Sequence, residues 1–210
     1  MADNYLEKKM EQYRSCSATT AKPKGSLSSL LLKNRSTRGY DSTFKVRKDQ
    51  LHRIVAVNTK LASARNRQLL RFRLVTGDEA EKILPHISMG SGLKELSLPQ
   101  PGSEPNAFIV VCSTEEPRNS TYIDLGISVQ SMLLQAVEIG LNGLCIMSFE
   151  ADAIKEELSL PYRPLIVVAI GKSAERIELV DIPADGNRGY YRKDGTHYVP
   201  KITVDELIIE

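Results

Sequence analysis

The sequence lacks the residue patterns that mark several common kinds of functional site. Its three cysteines form no CxxC pair, its three histidines lie too far apart for metal-ligand spacing, and no GxSxG segment is present. We therefore predict neither a zinc site nor a serine nucleophile. Cys112 and Cys145 lie inside apolar runs, where a thiol usually acts as a small hydrophobic side chain. This use of cysteine is typical of a reducing, cytoplasmic location.

Long apolar runs and an excess of one charge are also lacking. No run approaches the roughly 20 apolar residues that cross a bilayer, and the first residues do not combine a basic region with an apolar stretch. The 28 basic residues nearly balance the 26 acidic ones. We expect no membrane span, no secretory signal and no nucleic-acid partner. With 210 residues, the chain is most simply one domain with a sizeable core.

A basic cluster at Lys33–Tyr40, with the sequence KNRSTRGY, is the most informative feature of the chain. Within this stretch lie three cations, two hydroxyl groups and an amide. Guanidinium groups bind phosphate oxygens through paired N–H donors, and serine adds a hydroxyl donor. The cluster indicates an anion-binding site, with a solvated helix end as the alternative.

Hydrophobic patterning predicts a small sheet surrounded by helices. Alternation predicts a half-exposed strand at Leu70–Val75. Continuous apolar runs, typical of buried strands, cover Ala107–Cys112, Gly143–Met147 and Leu165–Ile170. Helical patterns cover residues 3–14, Ser26–Lys33, Asp49–Ala64, Tyr122–Leu141 and Glu150–Leu158. Extended character returns around Tyr198–Val204, and the fold class is therefore α+β.

The helix predicted at Tyr122–Leu141 is apolar on nearly every side. A helix of this kind is buried by the core or by a partner. Because it is long for a chain of this size, we expect it to contribute to the interface of a dimer.

Several short motifs follow one another along the chain. They are Arg35-Ser36-Thr37-Arg38, Ser63…Asn66-x-Gln68, Asp124-Leu125-Gly126 with Gln130, Gly140–Ile146, Leu160-Pro161, Val167–Gly171 and Tyr198–Lys201. In this order the sequence resembles, over roughly residues 30–205, the nitroreductase family of FMN-dependent oxidoreductases. The resemblance implies a nitroreductase-like α+β fold with a small mixed or antiparallel central sheet wrapped by helices. It also implies an intertwined homodimer with FMN at the interface, built from both chains.

Within this resemblance, residues 1–30 are an N-terminal helix or arm. Residues 31–210 are the FMN-binding domain, with an extended C-terminal tail. The family's R-S-x-R segment implies that Arg35 and Ser36 bind the phosphate and ribityl end of FMN. It places Arg38 at the pyrimidine edge of the ring, where a fixed cation stabilises negative charge. Lys201 would bind the phosphate.

Two further groups of contacts are implied by the resemblance. Ser63, Asn66 and Gln68 stand in a loop near the flavin, with a simple turn as the alternative for the two amides. Met147 and Ser148 would supply backbone N–H groups beside the flavin N5 and O4. Beyond Arg38 as the ring-edge cation, no side chain is expected to act in catalysis, since the cofactor carries the chemistry.

The sequence departs from the family pattern at several positions. Asn34 and Ile202 stand where arginine is frequent, and Arg192 or Lys193 is a candidate replacement cation. In the flavin loop, Ala62 and Leu69-Leu70 replace the usual proline and Pro-Trp. The stretch 86–94 either lines the substrate pocket and adds a flavin contact or is a plain loop, which we favour. Lys94 is either a ring-edge cation or, as we expect, a solvated lysine.

The resemblance implies an oxidoreductase that uses NADH or NADPH as co-substrate. Hydride passes through the flavin N5 to a small acceptor such as a nitroaromatic or a quinone, in ping-pong order. One alternative is a specialised flavin enzyme on the same scaffold. Another is a flavin-binding redox sensor without turnover, which the replaced residues leave open.

Overall fold

A four-stranded antiparallel sheet forms the centre of the protein. The structure, a computed structural model, describes residues 25–89 and 98–209. Strands β1 (Leu70–Thr76), β2 (Ala107–Ser113), β3 (Asn142–Ile146) and β4 (Pro164–Gly171) lie in the order β1-β2-β4-β3. Each neighbouring pair is antiparallel. All four strands were predicted from the sequence, with bounds that differ by at most one residue at either end.

Both faces of this sheet are covered, which explains the continuous apolar runs. Successive residues of β2 alternate between two hydrophobic clusters: Phe108 and Val110 face one, whereas Ala107 and Ile109 face the other. Because adjacent side chains of a strand point to opposite faces, a strand buried on both sides must be apolar at every position.

Helices and short 3₁₀ turns pack around the sheet. The helices are α1 (Leu27–Lys33), α2 (Lys48–Val55), α3 (Asp78–Ile83), α4 (Asn119–Glu138), α5 (Ala151–Glu157) and α6 (Val204–Leu207). The 3₁₀ turns are Ala56–Lys60, Ala64–Asn66 and Leu84–His86. The helix predicted over Asp49–Ala64 is therefore two elements, α2 and the first 3₁₀ turn. Within the described part of the chain, no helix is long and apolar enough to span a membrane.

The long helix α4 is apolar on a wider surface than the core covers. It buries Val129 and Met132 against the sheet. Tyr122, Ile123 and Ile127 nevertheless remain 52%, 64% and 41% exposed. The predicted helix is confirmed, although it begins three residues earlier than expected. Its apolar outer surface is left uncovered within one chain.

A second, smaller sheet was only partly predicted. Strand β5 (Arg176–Ile182) pairs in parallel with β7 (Thr196–Ile202), and β6 (Tyr191–Lys193) pairs with β7 in antiparallel fashion. The predicted extended tail corresponds to β7. With helices around an antiparallel central sheet, the predicted α+β class is confirmed.

Residues 34–40, which we term the clamp segment, are tied to the edge of the central sheet. Ser36 forms a parallel bridge with Gly143 of β3, and the Thr37 N–H donates to the Gly143 carbonyl at 3.2 Å. The Tyr40 hydroxyl donates back to the Thr37 carbonyl at 2.8 Å. Its ring lies against Gly171, where an added Cβ would come within 2.5 Å of Cδ1. Glycine at that position of β4 therefore lets the clamp segment dock.

Some predictions lie on residues that the structure does not describe. These are the helix at residues 3–14, most of the N-terminal arm, Cys16 and Lys94. The division of the chain at residue 30 stays a prediction.

Substituting Gly171 with alanine should disturb the clamp segment. The new methyl group meets the Tyr40 ring, and overpacking of this kind costs about 1–3 kcal/mol of unfolding free energy. Chemical denaturation checks the value. In a Tyr40→Leu background the same substitution should cost clearly less, because the clashing ring is gone. An equal cost in both backgrounds would show that Tyr40 is not what excludes a side chain at position 171.

Candidate functional site

A cavity of about 330 Å³ lies beside the clamp segment. Arg35, Ser36, Arg38 and Lys201 all line it, so the structure brings together four of the predicted site residues. Helix α4 and strand β3 contribute further lining residues, and the small sheet supplies the remaining wall. Residues more than 160 positions apart in the chain therefore meet at one site.

Arg35 is held at the cavity with part of its hydrogen-bonding capacity unused. Its Nη2 donates to the Leu31 carbonyl at the end of α1, at 2.6 Å. Its Nε is buried and has no partner among the described residues. Burial lowers the pKa of this guanidinium from its ordinary value, because a charge removed from water is less stable. An anion in the cavity would offset that cost.

Arg38 is fixed from three sides. Its backbone N–H donates to Glu175 Oε2 at 2.6 Å, and its Nη1 donates to the Ser36 carbonyl at 3.3 Å. The guanidinium carbon lies 5.2 Å from the centre of the Tyr190 ring, within the range of a cation–π contact. Arg38 Nε, like that of Arg35, is buried without a partner in the described chain.

His197 is a third member of the site, one that the sequence did not reveal. The residue is only 4% exposed, lines the cavity, and its Nδ1 has no partner among the described residues. Its ring lies 5.2 Å from that of Tyr190 at an angle of 52°. Burial lowers the pKa of His197, the positive charges of Arg192 and Arg38 add to this, and Glu175 opposes it. A lone histidine in a strand carries no local signal of such a position.

The unpartnered polar atoms share one location. Among residues 25–89 and 98–209, the buried side-chain nitrogen and oxygen atoms without a partner are Arg35 Nε, Arg38 Nε and His197 Nδ1. All three belong to residues that line the same cavity. Buried polar groups are normally satisfied, so a cluster of exceptions points to a missing partner. The arrangement suits a ligand that is anionic and rich in hydrogen-bond acceptors.

The candidate replacement cations lie elsewhere. Arg192 forms an ion pair with Glu175, whose side chain is only 10% exposed, and Lys193 is exposed on β6. Asn34 lines the cavity at the position where the family pattern has arginine. Lys201 is thus the cation that β7 contributes to this cavity.

Ser63 and Gln68 line a different cavity of about 540 Å³. Asp124 and Ser128 of α4 also line that cavity, whereas Gln130 of α4 lines the first one. The structure of one chain therefore does not bring the predicted flavin loop to the clamp segment.

The loop itself has an unusual backbone. Arg65, Asn66 and Gln68 all have positive φ, at 53°, 53° and 49°. The Asp124 carboxylate accepts from the Ala64 N–H at 3.0 and 3.1 Å, which fixes the start of the loop. Gln68 Nε2 donates to Asn66 Oδ1 at 3.0 Å, so these two amides bond each other. Left-handed residues other than glycine are costly and concentrate at functional sites.

Met147 and Ser148 lie outside the first cavity, directly after β3. Met147 is 73% exposed, and the Ser148 carbonyl accepts from the Ser88 N–H at 2.8 Å. Close by, His86 Nδ1 lies 3.0 Å from Glu150 Oε2. The backbone roles of Met147 and Ser148 stay predictions.

Comparison with known proteins identifies the fold. The model of the Nitroreductase family matches residues 98–172. A nitroreductase family protein from Clostridium difficile 630 is 26% identical, with a TM-score of 0.56 over 70% of this chain and 83% of its own. The chain has the nitroreductase fold. The resemblance seen in the sequence motifs is therefore confirmed. No curated protein matches the chain.

Two other solved structures with the nitroreductase fold are similar to this chain. An FMN-dependent nitroreductase from Clostridium difficile R20291 is 24% identical, with a TM-score of 0.57 over 70% of this chain and 87% of its own. A candidate nitroreductase in complex with FMN from Exiguobacterium sibiricum 255-15 is 19% identical, with a TM-score of 0.60 over 74% and 92%.

Proposed function

We infer that the protein is an FMN-dependent oxidoreductase that passes hydride from NADH or NADPH to a small electron acceptor such as a nitroaromatic or a quinone. The observation that carries this proposal is the cavity with three buried, unpartnered nitrogen atoms on Arg35, Arg38 and His197. Similar structures that depend on FMN or contain it support the choice of ligand. The use of cysteine favours the cytoplasm as the place of action.

The residues of the cavity fit the two ends of FMN. Arg35, Ser36 and Lys201 would hold the phosphate, because guanidinium, hydroxyl and ammonium groups all donate to phosphate oxygens. Arg38, held over the Tyr190 ring, would face the pyrimidine edge of the flavin. When bound, FMN supplies a ring that accepts and releases hydride at N5.

Arg38 would contribute fixed positive charge rather than acid–base chemistry. Its guanidinium forms no ion pair with a carboxylate in the described part of the chain, so its charge is free to act on the ring edge. Its contacts with Ser36 and Tyr190 hold it in place before the ligand binds. A charge that is already oriented stabilises developing negative charge without reorganisation.

A homodimer would complete the site. The loop with Ser63, Asn66 and Gln68 lies at a separate cavity of its own chain, and the outer surface of α4 is apolar and exposed. If that surface packs against a second copy, the partner's loop can reach the clamp segment. Such a dimer would bury the exposed Ile123 and Ile127, and it would place the loop with the unusual backbone at the partner's site.

Replacing Arg38 with alanine tests the proposed chemistry. The purified protein should show the visible spectrum of bound flavin, and anaerobic NADH or NADPH should bleach it. Arg38→Ala should retain part of the FMN but be reduced about a hundredfold more slowly, the effect typical of losing one preorganised donor. Stopped-flow absorbance measures the rate. Arg188→Ala removes an exposed arginine that bonds the Ala184 carbonyl, and it is the control.

The outcomes of that experiment separate the alternatives. Flavin that neither nucleotide reduces would favour a redox sensor over an enzyme. Equal rates for Arg38→Ala and the parent would refute the role of Arg38. Failure to take up added FMN would refute the proposed function altogether.

Mixing two defective variants tests the shared site. One variant carries Arg38→Ala, and the other carries Ser63→Ala and Gln68→Ala. If each site combines one chain's clamp segment with the partner's loop, mixed dimers contain one intact site. After denaturation and joint refolding, about a quarter of the parent's flavin-reducing activity should return, as expected for random pairing in a twofold dimer. No recovery would indicate that both groups act within one chain or that the loop is not part of the site.

A further inference from the structure

The Glu175 carboxylate lies behind Arg38 and joins two parts of the fold. Its Oε2 accepts from the Arg38 backbone N–H at 2.6 Å, and its Oε1 accepts from the Arg192 guanidinium. Glu175 precedes β5, whereas Arg192 lies on β6. The carboxylate therefore connects the clamp segment to the small sheet that carries Lys201.

The packing around this carboxylate is tight. A Cβ added at Gly39 would lie 3.2 Å from Glu175 Cγ, so a side chain there would press on the glutamate. The Gly39 carbonyl accepts from the Ala174 N–H at 3.0 Å. The Glu175 side chain is 10% exposed and that of Arg192 is 29% exposed. Removing one partner of an ion pair this buried leaves the other charge uncompensated, which is costly.

The two arginines near Glu175 are used differently. Arg192 neutralises the carboxylate, whereas Arg38 offers it only a backbone N–H. The Arg38 guanidinium is instead directed to the Ser36 carbonyl and the Tyr190 ring. Without Arg192, the Glu175 carboxylate would be a largely buried charge with no ionic partner among the described residues. Arg38 already donates its backbone N–H to Glu175, lines the same small cavity and has no carboxylate partner of its own in the described part of the chain, so its guanidinium is a candidate to replace Arg192.

We propose that Glu175 and Arg192 are positioning residues, which fix the backbone of Arg38 while keeping its guanidinium free for the flavin ring. Glu175 holds the clamp segment. Arg192 prevents Glu175 from neutralising the cation that the ligand needs. The proposal rests on the proposed function, because it concerns the same cavity and the same ligand.

If Arg192 acts by neutralising Glu175, a second substitution at Glu175 should rescue the loss of Arg192. Arg192→Gln leaves Glu175 without its ionic partner, so the carboxylate should draw in the Arg38 guanidinium. Adding Glu175→Gln removes the unpaired carboxylate, and its amide oxygen can still accept from the Arg38 N–H. The double variant should therefore behave more like the parent than the single variant does. If the two residues only supported the structure, the double variant should differ from the parent more than the single variant does, because it loses both charged groups.

The first measurement is the affinity for reduced FMN relative to oxidised FMN, obtained from the midpoint potential of bound FMN compared with that of free FMN. In Arg192→Gln this ratio should fall about tenfold, the factor for one lost charge-assisted contact. The double variant should recover to within about twofold of the parent. Arg47→Gln, which breaks an exposed ion pair with Asp49 on α2, is the matched control and should leave the ratio unchanged.

The second measurement needs no cofactor. The Arg38 Nε–H signal in a ¹H–¹⁵N spectrum, assigned by its loss in Arg38→Lys, should shift in Arg192→Gln and return towards its original position in the double variant. If the parent takes up no FMN, the proposed function fails, and this signal still decides the role of the pair. An unshifted signal in Arg192→Gln, or a double variant no better than the single one, would overturn the proposal.

Discussion

Two guanidinium groups stand at one cavity without a carboxylate to neutralise them, and the architecture of the site follows from this. Among the described residues, neither Arg35 nor Arg38 forms an ion pair. Removing a cation partly from water costs free energy, and a bound anion can offset that cost. Such a cavity reduces the stability of the empty protein and favours binding, which is the usual compromise at functional sites.

The fold holds these cations by tethers from three directions. The edge of β3 pairs with Ser36, the Tyr40 ring docks on Gly171 of β4, and Glu175 binds the backbone of Arg38. Each tether acts on the backbone or on a neighbour rather than on the charged groups themselves. The guanidinium charges therefore stay available, while their positions are set before any ligand arrives. The apolar outer surface of α4 and the loop with positive φ angles at Arg65, Asn66 and Gln68 are the features that a second copy would use.

The sequence predicts those strands whose own hydrophobic pattern marks them. Strand β1 alternates, whereas β2, β3 and β4 are largely continuous apolar runs, because both faces of the sheet are covered there. Strand β5 alternates exposed and half-buried residues, β6 is exposed throughout, and both depend on pairing with β7. The same holds at the site. The residues of the basic cluster are contiguous in the sequence, whereas Glu175 contacts Arg38 from 137 positions away. His197 is buried by tertiary packing, and no single residue in the sequence predicts that burial.

The central claim is that unneutralised cations make this cavity a site for a phosphate-bearing flavin. Its most direct test is the affinity for FMN compared with that for riboflavin, measured by quenching of flavin fluorescence at fixed ionic strength. We expect FMN to bind at least about tenfold more tightly, since only FMN offers phosphate oxygens to Arg35 and Lys201. Equal affinities for the two flavins would contradict it.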